Sequence, residues 1–277
     1  MRTLAAATGF AMALASVQAL AAPGAVAGVH GIYADGALVN AVQSTTRSPK
    51  NVARDRYRHP RESLSFWGLK PGMTIVEIWP GGGYWTEILA PYAKATGGKY
   101  FAALPSEKQG LSDRFADKSL YGNIAVTVFN EKSGPLVPSG TADFVLLSRN
   151  LHDWMGTRGE PEKAMADYYA ALKPGGILAV EQHRADPRPM QKDASDGYMS
   201  TAVVVQLAEK AGLKLEDKSE INANPKDTKD HPFGVWTLPP TRQSAPEGQP
   251  PNPAFDHSKY DAIGESDRMT LRFRKPG

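Results

Sequence analysis

The sequence predicts an α/β fold in which a parallel sheet carries a small-molecule site at the carboxyl ends of its strands. Three observations support this prediction: a strand that ends in a carboxylate, a glycine-rich turn directly after it, and strands that alternate with helices further along. The first two lie in residues 73–89, MTIVEIWPGGGYWTEIL. Because open α/β sheets bind ligands outside the carboxyl ends of their strands, we expect the site there.

The first strand is predicted over Thr74–Ile78, where apolar and β-branched residues surround Glu77. Pro80 and three successive glycines at positions 81–83 form the turn that follows. Without β-carbons, this turn lets a ligand approach the backbone closely. A helix that begins near Tyr84 then presents its free N–H groups to that ligand.

Two classes of cofactor bind at such turns, and the spacing of the glycines separates them. A dinucleotide fingerprint needs G-x-G-x-x-G, but Thr86 stands where the third glycine would be. A carboxylate four residues before Gly81 instead suits a cofactor with a cationic amino-acid head and a ribose, but no pyrophosphate. S-adenosylmethionine (SAM) is such a cofactor. A strand-to-helix turn without any ligand also accounts for the glycines and stays an alternative.

The composition narrows the function classes. The chain has 277 residues, 41% hydrophobic and 22% charged, which is ordinary for one large domain or one domain with attachments. A net charge of +3 is too small to argue for nucleic acid or an anionic membrane as a partner. With no cysteine and six histidines that lack ligand spacing, we expect no disulfide, no cysteine nucleophile and no metal site.

Residues 1–21 have the pattern of a secretory signal peptide. Arg2 precedes an apolar run that ends in Ala19-Leu20-Ala21, an A-x-A cleavage pattern. A membrane span would need about 20 apolar residues, so we expect a cleavable signal and no stable membrane insertion. The mature chain would then begin at Ala22 and be periplasmic or secreted.

Further strands and helices alternate along the rest of the chain. Strands are predicted at Lys99–Leu104 and at residues 124–129, 143–148, 177–182, 213–219 and 269–274, and helices at residues 36–44, 61–67, 86–94, 111–116, 161–172 and 198–211. Strands joined by helices imply parallel, right-handed crossovers.

The chain therefore divides into a helical N-terminal segment at residues 22–68 and an α/β domain at residues 69–277. The basic residues of the N-terminal segment are either a solvated helical face or a cover that offers cations to an acidic substrate.

A proline-rich insertion at about residues 222–267 precedes the last strand. Because prolines disfavour helix and sheet hydrogen bonds, we expect an ordered arm with a mobile tip near residues 243–253. Residues 231–238, HPFGVWTL, are predicted to pair as an extra strand.

Five motifs follow one another along the chain from about Arg47 to the C-terminus: RDRYRHP, EIWPGGGYWTEILAPY, RNLHDW, LKPGG and ESDRMTLRFRKP. In this order they resemble the class I SAM-dependent methyltransferases and, more narrowly, a family of methyltransferases that carry secretory signals. The resemblance implies a three-layer Rossmann-like fold with seven strands in the order 3-2-1-4-5-7-6, the last strand antiparallel. It also implies SAM as the cofactor, and it leaves the methyl acceptor open.

The resemblance assigns cofactor binding to residues along the first strands and their carboxyl ends: Glu77, Pro80, Gly81, Gly83, Glu107, Asn130, Glu131, Asp143 and Asn150. Two positions depart from the family pattern. Trp79 replaces a glycine of the turn, and the second strand ends without the acid that normally binds the ribose, so that Glu107 is the nearest candidate. If Glu107 cannot reach the ribose, one or two hydrogen bonds of about 1.5–3 kcal/mol each would be lost.

Methyl transfer from a sulfonium depends on alignment and on exclusion of water, and it needs a base only where the acceptor must lose a proton. His152 is the first candidate for that base, because imidazole titrates near neutral pH. A histidine with a structural hydrogen bond in a loop is the alternative. The residues predicted to contact the acceptor are Tyr57, Arg58, His59 and Trp85.

These observations are consistent with two functions of different class, an enzyme and a binding protein. The first is an exported SAM-dependent methyltransferase for an unknown small molecule, as a monomer or a homodimer, although SAM is made in the cytoplasm. The second is an exported binding protein that keeps the methyltransferase fold without catalysis, which Trp79 and the missing ribose acid favour. Thr86 and the missing acid argue against a nicotinamide oxidoreductase.

Overall fold

The computed structural model describes residues 35–156 and 160–277. The predicted signal peptide and the predicted start of the mature chain lie outside these residues. Within the two described ranges, no helix is long and apolar enough to cross a membrane.

The core of the fold is one mixed β-sheet. Its strands are β1 (Thr74–Ile78), β2 (Lys99–Leu104), β3 (Ile124–Val128), β4 (Ala142–Ser148), β5 (Leu172–His183), β6 (Lys214–Ser219) and β7 (Arg268–Arg274). They lie in the order β3-β2-β1-β4-β5-β7-β6, with β1 parallel to β2 and β4, and β7 antiparallel to β5 and β6. The predicted α/β class, the strand order and the antiparallel last strand are confirmed.

Helices cover both faces of the sheet. They are α1 (Gly36–Val42), α2 (Pro49–Val52), α3 (Asp55–Arg58), α4 (Pro60–Trp67), α5 (Thr86–Thr96), α6 (Lys118–Tyr121), α7 (Leu151–Met155), α8 (Pro161–Ala171), α9 (Thr201–Lys210) and α10 (Ser258–Ile263). Successive strand residues point to opposite faces, so that Ile75 packs with α1, α4 and α5, whereas Val76 packs with α8 and α9. This arrangement gives the three predicted layers.

The N-terminal segment is fastened to the sheet through α5. The Asp35 carboxylate accepts the Leu38 N–H at 3.1 Å at the start of α1, and it also accepts the Tyr92 hydroxyl of α5 at 2.6 Å. Between α3 and α4, His59 adopts a left-handed conformation with φ of 40°, which turns the chain sharply. As a consequence, α3 lies beside the carboxyl ends of the central strands.

The predictions for two irregular stretches are wrong. Residues 231–238 form no strand. Gly234–Thr237 is a 3₁₀ turn in which Gly234 has φ of +54° and a β-carbon at this position would clash with the Asp196 backbone. Residues 111–116 contain a 3₁₀ turn at Asp113–Ala116 in place of an α-helix.

The tip of the proline-rich insertion is held by hydrogen bonds. The Gln243 N–H donates to the Trp236 carbonyl at 2.8 Å, and the buried Ser244 hydroxyl accepts from the Asn252 N–H at 3.0 Å. The insertion also contains α10, which has no counterpart among the predicted helices.

Candidate functional site

A hollow of about 200 Å³ lies at the carboxyl ends of β1 and β4. Its lining comes from the ends of these strands, from the glycine turn and from the N-terminal segment: Arg54, Arg58, Glu77, Ile78, Trp79, Pro80, Gly81, Gly82, Tyr84, Trp85, Ser148, Arg149 and Asn150. Typical small-molecule sites measure about 300–1,000 Å³. The hollow is therefore large enough for part of a cofactor but must widen for a whole one.

The carboxyl group of Glu77 forms part of the lining, with 2% of the residue exposed. It accepts hydrogen bonds from the Thr86 hydroxyl at 3.0 Å and from the Tyr100 hydroxyl. Burial raises the pKa of Glu77 from 4.5 to about 7, because these hydrogen bonds and the charge of Arg58 offset the loss of water only in part. A cationic group of a ligand beside Glu77 would favour its charged form.

Trp79 forms a wall of the hollow. Its φ of 47° is unusual for a residue other than glycine, so the backbone here keeps a conformation that glycine adopts more easily. The indole donates to the Phe129 carbonyl at 2.8 Å and stacks on Trp154, with ring centroids 5.4 Å apart. The indole thus packs toward the end of β3, away from the carboxyl of Glu77.

Asn150 connects the end of β4 to β1 and offers its side-chain oxygen as a hydrogen-bond acceptor. Its side-chain amide donates to the Ile78 carbonyl at 2.8 Å. Its Oδ1 is buried and has no hydrogen-bond partner in the part of the chain that the structure describes. This oxygen can accept a hydrogen bond from an N–H group of a ligand.

Beside the hollow lies a group of four arginines and two glutamates, the arginine cluster: Arg54, Arg58, Arg149, Arg268, Glu181 and Glu265. Glu265 accepts from the Nε atoms of Arg54 and Arg58, and Glu181 pairs with Arg268 at 2.8 Å. Burial raises the pKa of each glutamate, but the nearby guanidinium charges outweigh burial and lower both pKa values below the usual range. Both glutamates are therefore ionised at neutral pH.

Six of the predicted site residues line the hollow: Glu77, Pro80, Gly81, Asn150, Arg58 and Trp85. The Trp85 indole donates to the Ser148 hydroxyl at 3.0 Å and thereby joins the start of α5 to the end of β4. The other predicted residues lie outside this lining.

The position predicted for Asp143 is wrong. Asp143 lies at the amino end of β4, where its carboxylate accepts the Thr74 N–H at 2.8 Å and pairs with Lys173. The strand ends at Ser148, about 17 Å further along at 3.3 Å per residue. Asp143 therefore joins β4 to β1 at the edge opposite the hollow.

Gly83 also faces away from the hollow. A β-carbon at this position would clash with the ring of Phe115, so the glycine is required for packing against the chain that follows β2.

Three residues predicted to bind the ribose and adenine follow β2 and β3. Glu107 is exposed, Asn130 donates through its side chain to the Pro105 carbonyl at 3.0 Å, and Glu131 is half-buried. Two of the residues predicted to contact the methyl acceptor make contacts within the chain. The Tyr57 carbonyl accepts a hydrogen bond from Arg268, and the His59 ring lies 3.2 Å from the Asn222 amide oxygen.

His152 faces a different space. It contributes to a larger cavity of about 1200 Å³, which the proline-rich insertion encloses on one side. Its Nδ1 lies 3.0 Å from Gln182 Nε2, and its ring lies 5.7 Å from that of Trp236. Burial lowers the pKa of His152, which favours the neutral imidazole.

The sequence alone did not identify the whole site. Arg54 belongs to the basic segment for which the sequence predicts either a solvated face or a cover over the site, and Arg149 follows β4 in the RNLHDW motif. Glu265 and Arg268 stand in the ESDRMTLRFRKP motif, more than 200 positions from Arg58. No local pattern connects such distant residues.

A comparison with family models finds no match. A curated relative is the ubiquinone/menaquinone biosynthesis C-methyltransferase UbiE of Hydrogenovibrio crunogenus, 27% identical over 139 residues that cover 50% of this chain and 53% of the relative. The chain thus spans about half the length of this relative.

Solved structures with the same fold include a SAM-dependent methyltransferase from Aquifex aeolicus, with a TM-score of 0.50, 24% identity, and 61% of this chain and 87% of the other covered. The [4+2]-cyclase SpnF has a TM-score of 0.58 and 17% identity, with 86% and 92% covered. Phosphoethanolamine N-methyltransferase 2 of Haemonchus contortus, in complex with SAM, has a TM-score of 0.51 and 13% identity, with 80% and 53% covered. The sheet order and these similarities show that the chain has the fold of class I SAM-dependent methyltransferases.

Proposed function

We propose that this chain is an exported SAM-dependent methyltransferase that acts on a small-molecule acceptor. The observation that carries the proposal is the buried Glu77 carboxyl in one hollow with the Gly81 turn and the unpartnered Asn150 Oδ1 of the described structure. A carboxylate and an amide oxygen suit the ammonium of an amino-acid head, and the glycine turn lets that ligand approach the backbone. These residues fit the methionine part of SAM.

When bound, SAM would supply an electrophilic methyl group on a sulfonium, with the thioether as the leaving group when a nucleophilic atom of the acceptor takes the methyl group. The residues of this chain would align the two molecules and exclude water. Tyr84 and Trp85, with 4% and 2% of their surfaces exposed, close the side of the hollow near α5. A role for His152 as a base requires an acceptor that enters through the larger cavity.

Calorimetric titration of the full chain with SAM and with S-adenosylhomocysteine (SAH) tests this proposal. We expect saturable heat and an increase in melting temperature with both ligands, because a ligand that binds the folded state stabilises it. NAD serves as the control and should give neither signal. No heat and no thermal shift at millimolar SAM would refute the proposal.

A binding protein with the methyltransferase fold is the second candidate. The small volume of the hollow, the Trp79 wall and the exposed position of Glu107 outside the lining favour it. A [4+2]-cyclase with this fold also illustrates that the fold alone does not determine the activity. Mass spectrometry of the purified chain discriminates between the binding protein and the methyltransferase. A co-purified small molecule other than SAM or SAH would favour the binding protein.

Replacing Trp79 by glycine is expected to strengthen SAM binding. A whole cofactor needs more room than the hollow of about 200 Å³ offers, and we expect it to displace the indole from its hydrogen bond to Phe129 and its stacking on Trp154. Each contact is worth about 0.5–1.5 kcal/mol, so the gain in affinity should be about tenfold or more. Calorimetry measures it, with Trp236→Ala, in the larger cavity, as the matched control. Unchanged or weaker SAM binding by folded Trp79→Gly would contradict the expectation.

A further inference from the structure

Arg58 is a fully buried guanidinium with two free nitrogens. Its side chain has 0% of its surface exposed, and its Nε donates to Glu265 at 3.1 Å. Nη1 and Nη2 have no hydrogen-bond partner among the described residues, and the same holds for Nη2 of Arg54. Because buried polar groups in native proteins are nearly always paired, these three nitrogens indicate a missing partner.

The charge of the cluster favours a negatively charged partner. The arginine cluster contains four guanidinium groups and two ionised carboxylates, so two positive charges are left over. Glu77 compensates for these charges only in part, because burial raises its pKa to about 7 and the carboxyl is only partly ionised at neutral pH. Unpaired charges inside a protein are costly, so an anion that enters the cluster would be bound strongly.

The free nitrogens belong to side chains that line the hollow. Arg54 and Arg58 both contribute to its wall beside Glu77 and the glycine turn. The Arg58 guanidinium lies over the Tyr84 ring, 4.4 Å from its centroid, and the bond to Glu265 fixes its other side. A guanidinium held in this way presents two parallel donors, the geometry that binds a carboxylate in a bidentate manner.

We propose that the methyl acceptor is a small carboxylic acid, whose carboxylate binds to Arg58 and Arg54 in this hollow. The inference rests on the proposed function and names the class of its substrate. SAM itself has two cationic groups and one anionic group, and its binding favours the charged form of Glu77, so the positive charge left over in the cluster remains when SAM is bound. The acceptor is therefore the molecule that supplies the compensating anion, and its carboxylate orients it toward the sulfonium.

Thermal unfolding of the full chain in saturating SAH tests this inference, with benzoate and malonate as probes and benzamide and malonamide as their uncharged controls. We expect the two carboxylates to raise the melting temperature of the SAH complex and the two amides to leave it unchanged. Arg58→Lys keeps the charge but loses the planar fork, and it should weaken benzoate binding about tenfold or more. Arg56→Gln removes an exposed charge from the same helix and should leave benzoate binding unchanged.

The outcomes separate this inference from the proposed function. If SAH binds but the carboxylates have no effect on the wild-type complex, the inference is overturned and the proposed function stands. If the carboxylates displace SAH, the arginines bind the carboxylate of the cofactor, which also overturns the inference. If SAH does not bind, the proposed function fails and the acceptor assignment fails with it, whatever the carboxylates do.

Discussion

Replacing Glu77 by glutamine is expected to make the ligand-free chain more stable at about pH 8 relative to the wild type. Burial raises the pKa of this carboxyl from 4.5 to about 7, so the folded state binds the proton more tightly than the unfolded state. The resulting stabilisation is complete below pH 4.5 and is lost as the pH rises to about 7. Glutamine cannot ionise and avoids this loss, which amounts to about 3 kcal/mol at most.

Urea unfolding of both proteins at pH 4.5 and about pH 8 measures this effect as the change in their stability difference. Glu209→Gln, an exposed carboxyl on α9, is the matched control and should show no such change. A stability difference between Glu77→Gln and the wild type that does not depend on pH would contradict the assigned environment of Glu77.

The same substitution is expected to weaken SAM binding about ten- to a hundredfold, since a hydrogen bond between charged groups contributes about 1.5–3 kcal/mol. In the wild type, SAM affinity should increase as the pH rises through 7, because the ligand ammonium requires the charged form of Glu77. In Glu77→Gln this dependence should be absent. Calorimetry across this pH range gives both values, and equal affinities would exclude Glu77 from the cofactor site.

Replacing Glu265 by glutamine is expected to lower the free energy of unfolding by about 3–5 kcal/mol, because it leaves buried arginines without their counter-ion. The Glu265 carboxylate, 4% exposed, bonds Arg54 and Arg58 of the N-terminal segment and Arg268 of β7. The substitution thus also weakens the connection between that segment and the sheet. Loss of hydrogen-exchange protection in α3 and α4 would report this local effect.

Glu220→Gln is the matched control for this substitution. The Glu220 side chain, 71% exposed, pairs with Arg184 at 2.8 Å, and its loss should cost less than about 1 kcal/mol. The stabilisation from Glu265 should be complete above its ordinary pKa of 4.5 and lost as the pH falls, since the arginines lower its pKa. Equal urea midpoints for the two variants would show that Glu265 does not hold the cluster together.

The parts of the fold that follow from local patterns were predictable. β1, the glycine turn and α5 have apolar periodicity and turn residues that admit few alternatives, and the alternation of strands and helices gave the parallel crossovers. The insertion was not predictable in the same way. Its apolar residues at 231–238 suggested a strand, but the positive φ of Gly234 and the close approach of Asp196 produce a turn.

The residues of the site divide in the same way into those that a local pattern predicts and those that it does not. Glu77 and Gly81 were found because their spacing is local, and Arg58 because it stands in a dense basic segment. The arginine cluster depends on contacts between Arg58 and Glu265, 207 positions apart, which no local pattern reveals. His152 follows β4 as predicted, but α7 turns its ring toward the insertion, away from the glycine turn.

A crystal structure of the full chain with SAH tests most directly whether the carboxyl ends of β1 and β4 form the cofactor site. We expect the amino-acid part of SAH between the Gly81 turn and Asn150, with its ammonium near Glu77. The Trp79 indole should have left the Phe129 carbonyl, because the hollow must widen from about 200 Å³. SAH bound elsewhere, or the Trp79 indole still bonded to Phe129 in a saturated crystal, would contradict this account.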